Sequence, residues 1–491
     1  MRNTIIIIAC TLFVFAQSCT QGLKTPAEKD NFTRITLSEE VVEFSKILCK
    51  KYDFLEYKII GNTITGKEII AINASSGFSD DKLKVLIFAQ QHGNEQSGKE
   101  ALLIFLRELN NNINWLDNIE FWIAPQINPD GGDKNSRLNA QGIDLNRDHI
   151  LLNARETQAL HKLFQEVMPH VTIDIHEYNP FRESWQNFGA YKVFDVQVGI
   201  PTNINVSEEI RSFALYEVLP AIEKHLNMNG FSFHNYLVGP VPTEGRTRHS
   251  TVDINDGRQS FAILNTLSFI YEGINGRDGF LENLKGRTFG QYEALFAHIN
   301  FINENAEKIK TIVNSKREML VNSNSKIKVS IRMEHFPAEF PLVLHLLSSK
   351  TNNDTIIEVE NFHPVVKSLH EVTMPQGYLI PAYDSLIIDI IKKHNIIYSA
   401  YETYNNHKIF AYKILDVDTV MIEELSNMIP TLKKEQLKIL KDNYIYVPTA
   451  QLHSNFLVLL FEPESMLGIA QIKDYNYLLN KGEMFPILRV E

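Results

Sequence analysis

Residues 83–97 read LKVLIFAQQHGNEQS, and the fold prediction starts from these residues. The first seven are almost continuously apolar, which is typical of a strand buried on both faces. A polar segment follows, and an amphipathic helix is predicted over 97–109. A buried strand that leads through a loop into a helix is the repeating unit of an α/β fold.

The same unit recurs up to about residue 315. Further apolar strands are predicted at 119–124, 171–175 and 267–271, and helices near 154–167 and over 285–320. Because apolar strands alternate with helices, we predict a mainly parallel or mixed sheet covered on both faces. Functional groups in such sheets gather at the carboxyl ends of the strands. His92, His176 and Glu272 all follow or end such strands.

Composition limits the classes of function. The chain has 491 residues, of which 44% are hydrophobic, and this length is enough for about two or three domains. Lysine and arginine number 48 against 59 aspartates and glutamates, which gives a net charge of −11. A chain of this charge is not expected to bind nucleic acid. An anionic substrate is still possible, because arginines near a site can override a mild global field.

Residues 1–19 are predicted to be a signal peptide of the lipoprotein type. Arg2 gives a positive start, residues 5–16 are almost wholly apolar, and the small residue Ser18 precedes Cys19. Cys19 would be lipidated and become the mature N-terminus; the alternative is an ordinary signal peptide with an incidental cysteine. We therefore expect an exported protein of the bacterial periplasm or cell envelope, which touches a membrane only through a lipid anchor at Cys19.

The remaining chain divides into three predicted parts. Residues 20–32 are polar with one proline and are interpreted as a tether, and 33–320 form the α/β domain. Beyond residue 320 the pattern changes to alternating runs and short β-segments mixed with short helical pieces. Residues 321–491 are predicted to be a smaller α+β domain, in which we find no chemical motif.

Three side chains are candidate ligands of a metal ion. His92 and Glu95 are three residues apart, so a helical turn at Gly93 would point both the same way. His176 comes from a different strand end. Two imidazoles and a carboxylate suit zinc, and a set of only three protein ligands is typical of a catalytic site. We predict one zinc ion per chain; a lone His-x-x-Glu pattern would equally fit a surface or N-cap position.

Zinc-dependent hydrolysis also needs a base, and two glutamates are candidates. Glu272 ends an apolar strand, where a desolvated carboxylate could take a proton from water and pass it to the leaving amine. Glu177 is the competing candidate, but it neighbours His176 on a strand and should point the opposite way. Asp144 is a candidate acceptor for the second N–H of a ligand imidazole; its alternative role is to form a turn after Gly142.

The loop between the ligand segments carries Arg137, Asn146 and Arg147. The planar guanidinium of arginine pairs with carboxylates through two parallel hydrogen bonds. Such residues near a zinc ion indicate an anionic substrate group, for example the C-terminal carboxylate of a peptide, and one arginine can instead face a developing oxyanion. Without the metal motif, surface ion pairs would be the simpler interpretation.

These motifs together resemble the zinc carboxypeptidase family of the carboxypeptidase A type over residues 33 to about 315. The family's zinc ligands match His92, Glu95 and His176, and its Asn-Pro-Asp-Gly turn matches residues 128–131. Its pair of residues that binds the substrate carboxylate matches Asn146 and Arg147, and its catalytic glutamate matches Glu272. The resemblance implies an α/β/α sandwich with a mixed, about eight-stranded sheet. It also implies a zinc metallopeptidase that cleaves an amide bond of a peptide or peptide-like substrate near its free C-terminal carboxylate, with Arg137 at the oxyanion.

Two departures from the family pattern bear on the choice of substrate. Digestive members carry a tyrosine upstream of the catalytic glutamate, and the corresponding segment 244–250 has none. Arg246, Arg248 or His249 is expected either to take its place or to brace the loop. Residues 185–206 are interpreted as a loop inserted near the cleft.

Two other functions stay open at this point. A small-molecule or conjugate amidase of the aspartoacylase or desuccinylase type also carries His-Gly-Asn-Glu and Asp-Leu-Asn-Arg motifs, but such chains are usually shorter and lack the Asn-Pro-Asp-Gly turn. A non-catalytic binding protein would be expected if a metal ligand or the base had been lost. The three candidate ligands and the candidate base are all present, which disfavours this alternative.

Overall fold

The computed structural model describes residues 23–77, 81–322, 327–402, 407–437 and 443–491. The predicted signal peptide, with Cys19, lies outside these residues. The described part of the predicted tether, 23–32, is folded. It forms helix α1 (Pro26–Lys29), and Ala27 and Phe32 are buried in an apolar cluster with Leu284. The few apolar side chains of these residues find a partner surface that local sequence does not reveal, and a tether over 20–32 stays a prediction.

An eight-stranded mixed sheet forms the centre of the N-terminal two thirds, which confirms the predicted architecture. Its strands are β1 (Leu55–Asn62), β2 (Glu68–Ala74), β3 (Leu83–Ala89), β4 (Ile119–Ala124), β5 (Val171–Tyr178), β7 (Val196–Gly199), β8 (Phe233–Asn235) and β9 (Leu267–Ile274). Their order across the sheet is β1-β2-β4-β3-β5-β9-β7-β8. The pairs β3–β4, β3–β5, β5–β9 and β7–β8 are parallel, and the others are antiparallel.

Helices cover the sheet. They are α2 (Ser38–Lys51), α3 (Ser97–Glu108), α4 (Trp115–Asn118), α5 (Pro129–Asp133), α6 (Arg155–Val167), α7 (Glu183–Phe188), α8 (Glu208–Phe213), α9 (Leu219–Met228), α10 (Gly257–Ala262), α11 (Leu284–Glu304) and α12 (Ala306–Val321). Short 3-10 turns span Leu109–Asn112 and Leu145–Arg147, and a π-turn spans Ala214–Val218.

Strand β5 shows why there are two helical layers. Neighbouring residues on a strand point to opposite faces of the sheet. A Cβ atom built on Gly98 of α3 would meet Ile175 Cγ2 at 2.7 Å, and one built on Gly257 of α10 would meet Asp174 Oδ2 at 2.5 Å. Because Asp174 and Ile175 are adjacent, α3 and α10 lie on opposite faces. His176 shares the α10 face with Asp174.

The chain beyond residue 320 is rich in sheet. Its strands are β10 (Lys328–Phe336), β11 (Leu342–Ser348), β12 (Asp354–Val359), β13 (Val365–Thr373), β14 (Gly377–Pro381), β15 (Ser399–Ala400), β16 (Ile409–Ile422), β17 (Leu425–Leu437), β18 (Tyr444–Pro448) and β19 (Leu488–Val490). Helices α13 (Ser385–Lys393) and α14 (Ser454–Phe461) and 3-10 turns at Ile469–Gln471 and Lys473–Leu479 complete it. The six-stranded sheet has the order β15-β18-β14-β19-β16-β17, and β10 pairs with β13.

The C-terminal region packs closely on the α/β part. Strand β6 (Ala190–Tyr191), from the predicted insertion, pairs with β11 in a sheet with β12. Buried apolar residues of both regions belong to one contiguous core, so an independent domain over 321–491 stays a prediction. Among the described residues, no helix has the length and apolar character needed to cross a membrane.

Candidate metal centre and active site

The loop after β3 turns so that the side chains of His92 and Glu95 point in the same direction. The Glu95 amide donates to the His92 carbonyl at 3.1 Å, which makes the turn that the spacing predicts. Gly93 permits this loop to pack against the start of α5, because a Cβ atom there would lie 2.1 Å from the Gly131 carbonyl carbon. Asn128, in the Asn-Pro-Asp-Gly turn, caps α5 by accepting a hydrogen bond from the Gly131 amide at 2.9 Å. The two motifs therefore interlock.

His92, Glu95 and His176 converge in a buried cluster. The Nδ1 atoms of His92 and His176 are 3.2 Å apart and lie 2.7 and 2.8 Å from the two carboxylate oxygens of Glu95. Two nitrogens bound to zinc at about 2.1 Å with tetrahedral geometry are about 3.4 Å apart. The donor set and its spacing therefore fit a zinc ion.

Each imidazole is oriented by a second carboxylate. His92 Nε2 lies 3.1 Å from Asp144 Oδ1, and His176 Nε2 lies 2.9 Å from Asp174 Oδ1. The hydrogen bond between His92 and Asp144 fixes the tautomer that leaves Nδ1 available to a metal, and the close carboxylate of Asp174 favours the same tautomer of His176. The structure thus places Asp144 where the sequence predicts it. Sequence reasoning missed Asp174, although the available signal was its position two residues before His176 on the same strand face.

Glu272 lies in β9 directly beside His176 of β5 in the sheet register. Its side chain is buried, and the hydroxyl of Tyr236 lies close enough to influence its pKa. Burial raises the pKa of Glu272 to about 6, against the opposing effect of His176. The carboxylate is therefore ionised at neutral pH and can accept a proton, while its protonated form stays accessible.

Glu177, the competing base, has a different environment. It points to the other face of the sheet, where Arg287 Nη2 and Nε lie 2.7 and 2.9 Å from its Oε1. Its Oε2 accepts a hydrogen bond from the Ser97 amide at 3.3 Å. Burial raises the pKa of Glu177 and Arg287 opposes this rise. These contacts tie the end of β5 to α3 and α11.

Arg137 reaches the ligand cluster from its open side. Its Nη1 is 3.3 Å from His92 Nδ1 and 3.9 Å from Glu95 Oε1, and its Nε donates to Asp144 Oδ2 at 3.0 Å. The side chain is 45% exposed, whereas the ligands are buried. Because Asp144 holds the guanidinium of Arg137 near the ligand atoms, Arg137 can donate hydrogen bonds to an oxygen that develops negative charge there.

Asn146 and Arg147 follow Asp144 in the 3-10 turn. The Asn146 side-chain oxygen accepts a hydrogen bond from the Gly257 amide at 2.7 Å, and its Nδ2 lies 3.5 Å from His176 Nε2. Asn146 is thus largely engaged in holding the site together. Arg147 makes a single side-chain hydrogen bond within the described parts of the chain, from Nη1 to the Asn146 carbonyl at 2.5 Å. The residue is exposed, and the rest of its guanidinium makes no further hydrogen bond in the described parts of the chain.

The 244–250 loop is held by the C-terminal region. Arg246 Nε and Arg248 Nη1 lie 3.1 and 3.0 Å from the carboxylate oxygens of Glu424. Glu423 accepts a hydrogen bond from the His335 amide at 2.6 Å and lies 3.4 Å from Arg248 Nε. Both arginines of the loop therefore brace it.

The two glutamates form the turn between β16 and β17. Glu423 and Glu424 have φ angles of 56° and 63°. This left-handed conformation costs about 1–2 kcal/mol for a residue other than glycine. Such hairpin turns favour asparagine or glycine. Here the turn instead carries two carboxylates to the 244–250 loop. Its ion pairs connect the C-terminal hairpin to a loop near the cleft.

Sequence reasoning missed Tyr236. It follows the short edge strand β8, thirty-six residues before Glu272, and a three-residue strand leaves little periodic signal. His249, by contrast, donates a hydrogen bond from Nδ1 to the Tyr236 carbonyl at 3.0 Å and packs edge-on against Phe362. A tyrosine hydroxyl therefore lies beside the candidate base, although the 244–250 loop supplies none.

The predicted insertion, 185–206, contains most of α7 together with β6 and β7, and it carries Lys192. Lys192 Nζ donates to the Leu237 carbonyl at 2.7 Å. Burial lowers the pKa of Lys192 to about 8, and the charge of Glu272 opposes this shift. The insertion thus adds a buried amine within electrostatic reach of Glu272.

Comparison with known proteins finds one family and several named relatives. Residues 43–168 match the family model described as zinc carboxypeptidase. The chain is similar to carboxypeptidase 2 of Trichophyton tonsurans, with 23% identity over 428 residues, which cover 84% of this chain and 77% of the relative. It is also similar to carboxypeptidase 2 of Trichophyton rubrum, with 23% identity over 437 residues and the same coverage of both chains.

Solved structures of metallocarboxypeptidases are also similar. Carboxypeptidase A from Helicoverpa armigera aligns with a TM-score of 0.44 and 17% identity, over 56% of this chain and 75% of that one. A metallo-carboxypeptidase from Pseudomonas aeruginosa, in complex with (2-guanidinoethylmercapto)succinic acid, aligns with a TM-score of 0.42 and 16% identity, over 55% of this chain and 69% of that one.

Proposed function

We propose that this chain, which carries a zinc carboxypeptidase family sequence over residues 43–168, is a metallocarboxypeptidase that removes the C-terminal residue of peptides. The family model is described as zinc carboxypeptidase, and the similar relatives are named carboxypeptidase 2. The single observation that supports the specific reaction is the convergence of His92, Glu95 and His176 beside the buried carboxylate of Glu272. We propose one zinc ion per chain, held by these three ligands.

When bound, zinc would supply a Lewis acid that polarises the scissile carbonyl and lowers the pKa of water. The protein's own residues would then divide the remaining work. Glu272 accepts a proton from water and donates it to the leaving amine. Arg137 donates hydrogen bonds to the developing oxyanion, where preorganised donors lower the barrier. The hydroxyl of Tyr236, which lies near Glu272, would help to orient the carboxylate.

Arg147 is proposed to bind the free carboxylate of the substrate, with Asn146 fixing the turn that presents it. Arg147→Ala should lower kcat/KM for peptides with a free C-terminus by about a hundredfold or more, because a desolvated charge pair is lost. Peptides amidated at the C-terminus should be affected far less. The measurement is kcat/KM for matched free and amidated peptides, by quantifying the released C-terminal residue or amide.

Arg137→Ala is the matched control, since it should slow both kinds of peptide equally through the loss of oxyanion stabilisation. Equal losses in the Arg147 variant would contradict the carboxypeptidase assignment. Hydrolysis confined to small acylated amino acids would favour the amidase of aspartoacylase or desuccinylase type instead.

We also propose that the protein is exported and lipid-anchored, as the sequence of residues 1–19 predicts. In a bacterial host, Cys19→Ala should move the protein from the membrane fraction to the soluble fraction, because the lipid is then absent. Fractionation followed by immunodetection measures this. A wild-type protein found only in the soluble fraction would contradict the lipid anchor but would not contradict the proposed enzymatic activity.

A further inference from the structure

A cavity of about 200 Å³ lies between the α/β part and the C-terminal region, and none of the candidate metal ligands lines it. Residues of and after α6 and α10 form one wall, and residues after α13 and at the start of α14 form the other. The cavity opens to solvent beside the exposed residues Asn395 and Ile397. Much of the lining is apolar or aromatic, from Phe164, Met168, Leu264, Leu452 and Phe456. An apolar cavity of about 150 Å³ holds a benzene molecule, so this space can take one aromatic ring with a small substituent.

Three histidines supply much of the polar lining of this cavity. They are His161 of α6, His394 after α13 and His453 before α14. The rings of His161 and His394 have centroids 5.3 Å apart and stand nearly perpendicular to each other. Burial lowers the pKa of all three, to about 4 for His394 and about 3 for His453. Because no aspartate, glutamate, lysine or arginine is among the lining residues, the cavity is uncharged at neutral pH.

His394 presents a bare ring nitrogen to the cavity. Its Nε2 lies 2.8 Å from the Ile150 carbonyl oxygen, which can only accept a hydrogen bond, so Nε2 carries the proton. The Nδ1 atom of this neutral imidazole is then an acceptor. It makes no hydrogen bond within the described parts of the chain, yet protein atoms do not enclose it. Since the rest of His394 is buried and the residue lines the cavity, Nδ1 opens into the cavity.

A chain of hydrogen bonds fixes His161 in the same tautomer. Gln91 Nε2 donates to the Asp174 carboxylate at 2.8 Å, so Gln91 Oε1 accepts the hydrogen bond from His149 Nε2 at 2.8 Å. Burial lowers the pKa of His149 to about 3, so its ring is neutral and its Nδ1 is an acceptor. His161 Nε2, which lies 2.9 Å from that atom, must donate. His161 Nδ1 is therefore a second acceptor that is unpaired but not enclosed within the described structure.

These two nitrogens are the groups that a ligand would satisfy. The side chain of Gln451, also in the lining, is already engaged, because its oxygen and nitrogen bond to the backbone of Ile397 at 2.9 and 3.1 Å. A metal ion is not expected in the cavity. Among the residues that the structure describes, the cluster around Glu95 is the one group of three ligands in mutual reach. The cavity therefore calls for a hydrogen-bond donor on an otherwise apolar molecule.

We propose that this cavity binds a small, uncharged aromatic molecule that carries a hydrogen-bond donor, such as a phenol. The ring packs against Phe164 and Phe456, and the hydroxyl donates to Nδ1 of His394 or His161. An anion would meet two hydrogen-bond acceptors and no cation, and a cation would meet no carboxylate, so either would lose its hydration without compensation. The proposal does not rest on the proposed hydrolysis, because the lining contains neither a metal ligand nor the candidate base.

The test is a calorimetric titration of the full-length protein at pH 7 with phenol, and separately with toluene, which has nearly the same shape but no donor. Phenol should bind about fivefold to tenfold more tightly than toluene, which is the effect of one hydrogen bond of ordinary strength. Benzoate should not displace phenol, because its carboxylate cannot pair with either nitrogen.

Leu264→Trp places a larger side chain in the cavity and should weaken phenol binding by at least about tenfold, because the space for the ring is then occupied. Leu386→Trp is the matched control, since Leu386 is 49% exposed on α13 and is not part of the lining. This variant should bind phenol as the wild type does. Circular dichroism and thermal unfolding show whether both variants fold.

If Leu264→Trp fails to fold, a crystal structure of the wild type with phenol locates the ring instead, and a ring outside the cavity overturns the proposal. Toluene binding as tight as phenol binding, displacement of phenol by benzoate, or unchanged phenol binding in a folded Leu264→Trp protein also overturns it. So does the absence of phenol binding up to its solubility limit. None of these results bears on peptide hydrolysis, which is measured separately.

Discussion

Glu272→Gln should lower kcat for C-terminal hydrolysis by about 10²–10⁴-fold while the protein keeps one zinc ion per chain. The amide is nearly the same size as the carboxylate, but it cannot accept a proton. Because His92, Glu95 and His176 are untouched, the metal cluster should be unchanged. The measurements are steady-state kinetics on a free-carboxylate peptide and zinc content by elemental analysis.

The matched control is Glu177→Gln, since Glu177 is the other buried glutamate next to the ligands. Its carboxylate pairs with Arg287 on the opposite face of the sheet, so the variant should lose stability rather than chemistry. Breaking a buried ion pair costs about 3–5 kcal/mol of unfolding free energy. If the folded Glu177 variant were inactive and the Glu272 variant active, the base would have to be reassigned to Glu177.

Local periodicity predicted the elements that carry the site. Strands β3 and β4 occupy the predicted residues, and β5 and β9 continue past the predicted ends through His176 and Glu272. These strands are buried on both faces, so their apolar runs are long and bounded by polar residues. Since parallel neighbours align their carboxyl ends, the sequence could also predict that His92, His176 and Glu272 meet at one edge of the sheet.

The parts of the site that sequence reasoning missed depend on contacts between distant segments. Tyr236 reaches Glu272 only because the edge strand β8 pairs with β7. Helix α10 is held beside Asn146 by the hydrogen bond that the Gly257 amide donates to the Asn146 side-chain oxygen. The ion pairs between the 244–250 loop and the β16–β17 turn join residues about 175 positions apart. No local sequence pattern predicts contacts between residues that are so far apart in the chain.

These contacts suggest why the C-terminal region matters to a site that it does not enter. It holds the 244–250 loop through Glu424, and it holds the insertion through the pairing of β6 with β11. Trp185, Phe194 and Leu237 of the α/β part pack with Leu344 and Val359 of the C-terminal region in a separate apolar cluster. The insertion and the 244–250 loop are therefore both positioned by residues beyond 320.

Removal of the metal should abolish hydrolysis and lower the thermal stability of the protein, and zinc should restore both. A ligand that binds only the folded state adds about 4 kcal/mol to the free energy of unfolding when its concentration is a thousand times Kd. His176→Gln should lose zinc, because the carboxylate and the remaining imidazole offer only two ligands. The measurements are zinc content, activity and melting temperature, before and after treatment with a chelator.

His149→Gln is the matched control for this last prediction. His149 is also a buried histidine, and its Nε2 lies 2.8 Å from Gln91 Oε1, but it is outside the ligand cluster. Burial lowers its pKa to about 3, so at neutral pH it is an uncharged packing residue whose replacement removes no ligand. The variant should therefore keep one zinc ion per chain. Full activity in metal-free wild-type protein, or equal zinc loss in both variants, would show that His92, Glu95 and His176 do not form the metal site.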